Sequence, residues 1–313
     1  MRRLCLVAAG LCLLSRAARA QRAVTVQADN DAFNFWQMPW ARPDEEYTSG
    51  VRLAVERDGA GWSRRLGWAL GRCANGQQCA SHTFELGQDI YTASRPKGWS
   101  VALPGERPDA GLLWMASTSR VAHPGAINEL RLTIGVTGKP SLAEPMQRMF
   151  HDIAPRLNRP ITWGPQMPAE PVFSVAFDRR RLIAAGSLEL QPHGGASLGT
   201  LLTEARAGIG LRYPSSGVLS WQLPRKAGAV SLEFAGDAQV RGVARNAMLS
   251  GTFFRPSPSV ALRPLVSELT AGLRLQWRSL EASWLAHQTG AEHRGRTRPH
   301  DWSTLALSWR PTR

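Results

Sequence analysis

The sequence predicts an all-β protein, a transmembrane antiparallel β-barrel, and three observations carry that expectation. Apolar and polar residues alternate along several long stretches, the period-two signature of strands with one apolar and one polar face. Beyond residue 20 no segment approaches the roughly 20 consecutive apolar residues of a membrane-crossing helix. The chain nevertheless opens with an export signal, and a closed barrel is the other structure that satisfies its backbone inside lipid.

The signal comes first. Arg2 and Arg3 precede an apolar run from Leu4 to Leu14, and Ala18-Arg19-Ala20 ends it in the small-x-small pattern of a cleavage site. The run is too short for a membrane anchor. Residues 1–20 therefore read as a signal peptide, and residues 21–313 as one barrel domain. No linker rich in Pro, Gly and Ser divides that domain, and no repeat of fixed period runs through it. The formal charge is +14; four arginines of the signal (2, 3, 16 and 19), with no acid, leave +10 on the exported part. Such a surplus suits an anionic partner, which for an exported protein means lipopolysaccharide phosphates rather than nucleic acid. An arginine-rich coding bias would give the same surplus with no partner.

Cys5 and Cys12 leave with the signal. Cys73 and Cys79 remain, flanking Ala-Asn-Gly-Gln-Gln with its Asn-Gly turn signal, and predict a structural disulfide across a hairpin loop. No metal-ligand spacing surrounds them.

The strands follow. Val51, Leu53 and Val55 interleave with Arg52, Ala54 and Glu56; Leu130, Leu132, Ile134 and Val136 with Arg131, Thr133 and Gly135. Leu269, Ala271, Leu273, Leu275 and Trp277 alternate with polar or small residues, as do Leu305, Leu307 and Trp309. A soluble sandwich and a membrane barrel share this pattern. Stretches such as Glu268 to Arg278 fit a tilted membrane crossing better than the five or six residues of an ordinary soluble strand. Tryptophans near strand ends (99, 114, 221, 277, 284, 302 and 309) suit an aromatic girdle. Arg52, Glu56, Arg131, Arg274 and Arg278 fall at lumen parity, and the pattern favours the barrel.

One segment breaks the β rhythm. Residues 141–157, SLAEPMQRMFHDIAPRL, predict a short helix with Ser141 and Glu144 spaced as a capping box, although Pro145 argues for a start a residue or two later. Gln147 and His151 stand four apart and share one face of it. The other histidines sit in turn-like or polar surroundings, whereas His151 lies on a helix in a chain of strands; a lone helical histidine is still more often structural than catalytic. Asp29-Asn30-Asp31 closes the first strand with oxygen donors that suit Ca²⁺ but lack EF-hand spacing, so taken alone they are better explained as a plain polar loop at a strand end. Thr48 shares parity with Gly50, Arg52 and Ala54 and is expected to face the lumen.

In order along the chain, DNDAF (29–33), YTSGVRLA (47–54), GQDIYT (87–92), ERPDAGLLW (106–114), GVTGKP (135–140) with Gln147 and His151, and WGPQMPAEP (163–171) resemble the LpxR-type lipid A deacylase family. The motifs span about half of the chain; the C-terminal half matches in strand pattern alone. The resemblance implies a twelve-stranded barrel in the bacterial outer membrane, inserted by the barrel-assembly machinery and working as a monomer. It further implies Ca²⁺-dependent hydrolysis of the ester that holds the 3′-linked acyloxyacyl group of lipid A. It places catalytic roles on Asn30, Asp31, Thr48 and His151, substrate contacts on Gln147 and on Lys97 or else Arg95, and the cation on Asn30 and Asp31. Neutral imidazole suits a general base near pH 7, so His151 would activate water; Thr48 as nucleophile stays open, while Ser49 is expected on the opposite face of the strand. Departures are Asp109 where the family has an aromatic, Lys139 in GVTGKP, and a C-terminus, LSWRPTR, without the usual final aromatic. The alternative reading from another class is a catalytically inactive barrel that binds lipopolysaccharide or serves structurally; a soluble periplasmic sandwich is the third.

Overall fold

A computed structural model describes residues 21–31, 45–59, 70–71, 79–95, 105–123, 125–153, 163–164, 166–214 and 230–310. Residues 1–20, Cys73, Lys97, Trp99, Trp221 and the stretch 154–157 lie outside them. Cys79 is disulfide-bonded.

The strands are β1 (Gln21–Asn30), β2 (Glu46–Asp58), β3 (Ala80–Thr92), β4 (Ala110–His123), β5 (Ala126–Thr137), β6 (Pro171–Arg181), β7 (Ile183–Ala185), β8 (Leu188–Gly199), β9 (Leu202–Tyr213), β10 (Val230–Asn246), β11 (Leu265–Trp277), β12 (Leu280–Thr289) and β13 (His300–Trp309). Each long strand pairs antiparallel with its sequence neighbour, β1 pairs with β13, and β6 pairs with β8. The three residues of β7 extend the line of β6 against β8. The ring is therefore closed by twelve strands, as the motifs led us to expect.

Alternation explains which way each residue points. Val26, Leu86, Met115, Ile134, Phe173, Leu198, Ile209, Phe234, Leu269 and Leu307 form an exposed outward belt. A continuous apolar band of this extent would be a liability in water and is the lipid-facing surface of a membrane barrel. Strands of 10 to 17 residues are long enough to cross the hydrocarbon layer at a tilt.

The inward face is charged and paired. Arg120 meets Glu129 at 2.7 Å, Arg212 meets Glu233 at 2.5 Å, and Arg241 meets Glu204 at 3.2 Å. Arg131 pairs with Glu85, and Arg206 with Asp178. Arg274 faces Glu233 at 3.6 Å and Glu56 lines the lumen, as their parity predicts. Arg278 departs from it: β11 ends one residue earlier, and Arg278 occupies a left-handed turn (φ 52°) with its guanidinium over the Trp277 ring.

Among the described tryptophans, fewer than expected stand in a girdle. Trp277 and Trp309 are exposed at the rim that carries both chain ends. Trp114 points inward and donates to Asp89 at 2.8 Å, and Trp302 stacks on His287 at 3.8 Å. Tryptophan is also a good core residue, so position near a strand end alone did not assign its role.

At the opposite rim the lumen is filled. Trp114, Leu112, Ala110 and Met167 pack with Ala247 and Met248 of a one-turn helix, α2 (Ala247–Ser250), that caps the end of β10. Above them Glu46 accepts from Arg107 at 2.9 Å, Arg296 at 3.3 Å and His293 at 3.2 Å, all buried. These pairs join loops far apart in sequence.

The helix α1 (Ala143–Ile153) follows a 3-10 turn (Lys139–Ser141) and carries Pro145 in its first turn, where a missing N–H costs nothing. The capping box is not the contact made. Ser141 Oγ donates to the Gly138 carbonyl at 2.6 Å, and Glu144 turns outward to Arg148 and Gln166. Ala143 and Met146 of α1 pack with Ile90 and Trp163, so the helix lies against the ends of β3 and β4. Gly111 makes that approach possible: a Cβ there would lie 2.2 Å from both Ala143 Cβ and Ser141 Oγ. Gly111→Val is therefore expected to leave the barrel folded and lift α1 from the wall. Backbone hydrogen exchange across residues 143–153 should rise while heat-modifiable migration persists.

Candidate active site on the barrel wall

The residues singled out in sequence converge at the rim that carries α1. In β1, Asp29 is turned inward: its carboxylate accepts from Tyr47 at 2.7 Å, Thr304 at 2.8 Å and Arg52 at 3.1 Å. Asn30, the next residue, is therefore on the outer side of the wall, in register with Ser49. Asp31 follows at the strand's end, buried, and its carboxylate accepts from the Glu45 amide at 3.4 Å.

Thr48 does not face the lumen as its parity led us to expect. The pairing of β2 with β3 shifts between Tyr47 and Ser49, so that Thr48 is the extra residue of a bulge. Tyr47 keeps the inward direction, and the two residues after it fall on the same outward side. Thr48 is buried and its hydroxyl lies 2.6 Å from that of Thr92, two residues beyond Ile90, which packs under α1. The bulge likewise cancels the expectation that Ser49 faces away from Thr48, since Ser49 is in register with outward Ile90.

Above this wall, Gln147 and His151 lie one and two turns along from Ala143 on α1. Gln147 is buried and its Oε1 accepts from Trp163 Nε1 at 2.6 Å; His151 is half-buried. Met149 and Phe150 are exposed on the rest of the helix, as is Leu142 just before it. An outward strand surface bearing oxygen groups and a helix bearing an imidazole thus lie at the same rim, and the seam between that wall and the helix is a candidate site.

Of the two basic candidates, Arg95 is committed elsewhere. It donates to Asp109 at 2.5 Å and to the Ala93 carbonyl at 2.9 Å. Asp109, the departure in ERPDAGLLW, also accepts from the amides of Ala93 (3.0 Å) and Gly164 (2.9 Å). It ties the end of β3 to the segment that leads from α1 back to the wall, a role for which no local sequence signal exists. Trp163 and Thr92 were also missed, because their partners are distant in sequence.

Two groups of donors deserve a cation test. Glu46, Glu106 and His293 bring ligand atoms within 4.8 Å of one another. Burial, with the Glu46 charge beside it, raises the pKa of Glu106. Burial works the same way on Glu45, but the Arg296 hydrogen bond and charge outweigh it and hold Glu45 below the usual carboxylate range. With Arg107 and Arg296 already on Glu46 and an imidazole as the third donor, this cluster does not suit Ca²⁺, which takes six to eight oxygens. Asn30 and Asp31 offer amide and carboxylate oxygens at a strand end, and the chemistry of those donors does suit it.

The family described as Outer membrane protein LpxR matches residues 4–311. Among solved structures, LpxR from Salmonella typhimurium superposes with a TM-score of 0.73 at 16% identity, covering 92% of this chain and 100% of that one. The β domain of the Bordetella autotransporter BrkA gives a TM-score of 0.49 at 10% identity, covering 93% of this chain and 99% of that one. No curated protein matched the sequence. With a twelve-stranded membrane barrel in hand and the family match running over nearly its whole length, the chain belongs to the LpxR family of outer membrane proteins.

Proposed function

We propose that the protein is an outer-membrane lipid A deacylase that hydrolyses the ester holding the 3′-linked acyloxyacyl group. The observation that supports it most is the position of the seam. Asn30, Thr48 and Ser49 face outward at the strand ends, just above an apolar lipid-facing belt and beside a helix carrying His151. A substrate with its acyl chains in the outer leaflet and its sugar at the surface would bring an ester to that level without leaving the membrane.

In this reading His151 takes a proton from water, the hydroxide oxygen attacks the ester carbonyl carbon, and the protonated imidazole returns the proton to the departing sugar oxygen. Thr48 and Asn30 donate hydrogen bonds to the substrate around the reacting carbonyl, and Lys97 contributes charge. Gln147, fixed by Trp163, holds the helix face that presents His151. A Ca²⁺ ion held by Asn30 and Asp31 would supply positive charge for the developing oxyanion. The α1 rim is the outer one, and Lys139, Arg148, Arg255, Arg294 and Arg298, exposed on its connections, match the phosphates of a lipopolysaccharide surface.

The test uses the purified protein in detergent with lipid A and Ca²⁺. Release of an intact acyloxyacyl group, seen as one product in the lipid fraction, supports the proposal. Release of a single unbranched acid would place the cut at another ester, and no release at all would favour a binding role.

A further inference from the structure

The outward site has an inward counterpart on the same strands. Tyr47 Oη donates to Asp29 Oδ2 at 2.7 Å, lies 3.3 Å from Asp89 Oδ1, and accepts from Arg52 at 3.4 Å. Its ring stands edge-on to Trp302, with centroids 4.8 Å apart, and against Tyr91 at 5.3 Å. Asp29 is itself held by Gln27 at 2.9 Å and Thr304 at 2.8 Å, and Asp89 by Trp114 at 2.8 Å. Residue 50 has to be glycine for the phenol to sit there, since a Cβ would lie 2.1 Å from Tyr47 Oη.

A bulge between two paired strands competes with the regular ladder, in which sliding β2 by one residue would swap the faces of Tyr47 and Thr48. The bulged register puts a phenol inward among two carboxylates and a guanidinium, and the hydroxyl of Thr48 outward. The slipped register would put the phenol outward and leave the proton acceptor of Asp29 without it, a buried loss.

We infer that Tyr47 is a positioning residue. Its inward bond to Asp29 fixes the bulge that turns Thr48 and Ser49 to the barrel's outer wall, so the lumen network sets the geometry of a site on the opposite side of the sheet. That the turned hydroxyls serve deacylation rests on the proposed function; that the bulge depends on Tyr47 does not.

Tyr47→Phe keeps the ring and removes the bond. In the full chain in nanodiscs, backbone hydrogen exchange of the 46–50 segment should rise while heat-modifiable migration persists. Acyl release should fall about tenfold in kcat with KM unchanged, because the bond from Thr48 is made around the reacting carbonyl and what is lost is alignment there. The loss should vanish in a Thr48→Ala background, since Tyr47 acts through Thr48. Gly50→Ala, which unseats the phenol by another route, should give the same signature. Unchanged exchange at 46–50 in both variants overturns the inference, whatever the wild type does. Faster exchange with an inactive wild type upholds it and sinks the deacylase reading alone. An equal further loss in the Thr48→Ala background also overturns it, by showing that Tyr47 does not act through Thr48.

Discussion

Replacing His151 by alanine is expected to leave a folded, heat-modifiable barrel that releases acyl groups at least about 100-fold more slowly, the low end of what a general base contributes. The side chain stands on a helix that docks through Ala143, Met146 and Trp163, all of which the substitution keeps. His151→Asn is the sharper variant: it keeps a polar group of similar size and removes the base. Activity close to wild type in either variant would transfer the base role elsewhere and reopen Thr48 as nucleophile. Initial rates of acyl release by purified protein, scored beside gel migration, decide it.

The second large effect is expected at the cation. Chelation should reduce acyl release about 100- to 1,000-fold, the scale of losing one oxyanion-stabilising contact, and added Ca²⁺ should restore it. Binding to the folded state alone also stabilises it by mass action, so Ca²⁺ should raise the midpoint of heat modification of the wild type. Asp31→Ala should abolish both responses, while Glu106→Gln should leave both intact, because the Glu46 cluster is neutralised by Arg107 and Arg296. A Ca²⁺ response that survives Asp31→Ala and disappears with Glu106→Gln would move the cation to the rim network.

Much of the fold was legible because a strand has only two faces. Leu53, Leu132, Leu275 and Leu307 stand at one parity and Arg52, Arg131 and Arg274 at the other, which assigns the two faces of each strand; strand length and the ordered motifs, not parity, favoured a closed barrel over a sandwich. The same rule misplaced Thr48. One extra residue in β2 reverses every face on its far side, and the register between β2 and β3 that reveals the bulge is a property of two segments together. Parity likewise stopped one residue short at Arg278, where the hairpin turn begins.

The helix was visible as a break in alternation, and its face shared by Gln147 and His151 is the one turned to Ala143's side of the wall. Its seat was not visible. Gly111, Ile90 and Trp163 come from three separate stretches, and the departure at Asp109 gained a purpose only when Ala93, Arg95 and Gly164 were found around it. The rim network of Glu46, Arg107, His293 and Arg296 was invisible for the same reason, its partners being up to 250 residues apart.

The central claim, ester hydrolysis of lipid A by the seam between the wall and α1, is tested most directly by mass spectrometry of lipid A. The cells compared would carry the wild type, His151→Ala or no copy, each in Ca²⁺ and in chelator. The expected result is a lipid A species lacking one acyloxyacyl group, present with the wild type in Ca²⁺ and missing from every other sample. A profile that is the same in all of them, with the barrel folded in the outer membrane, would contradict the account.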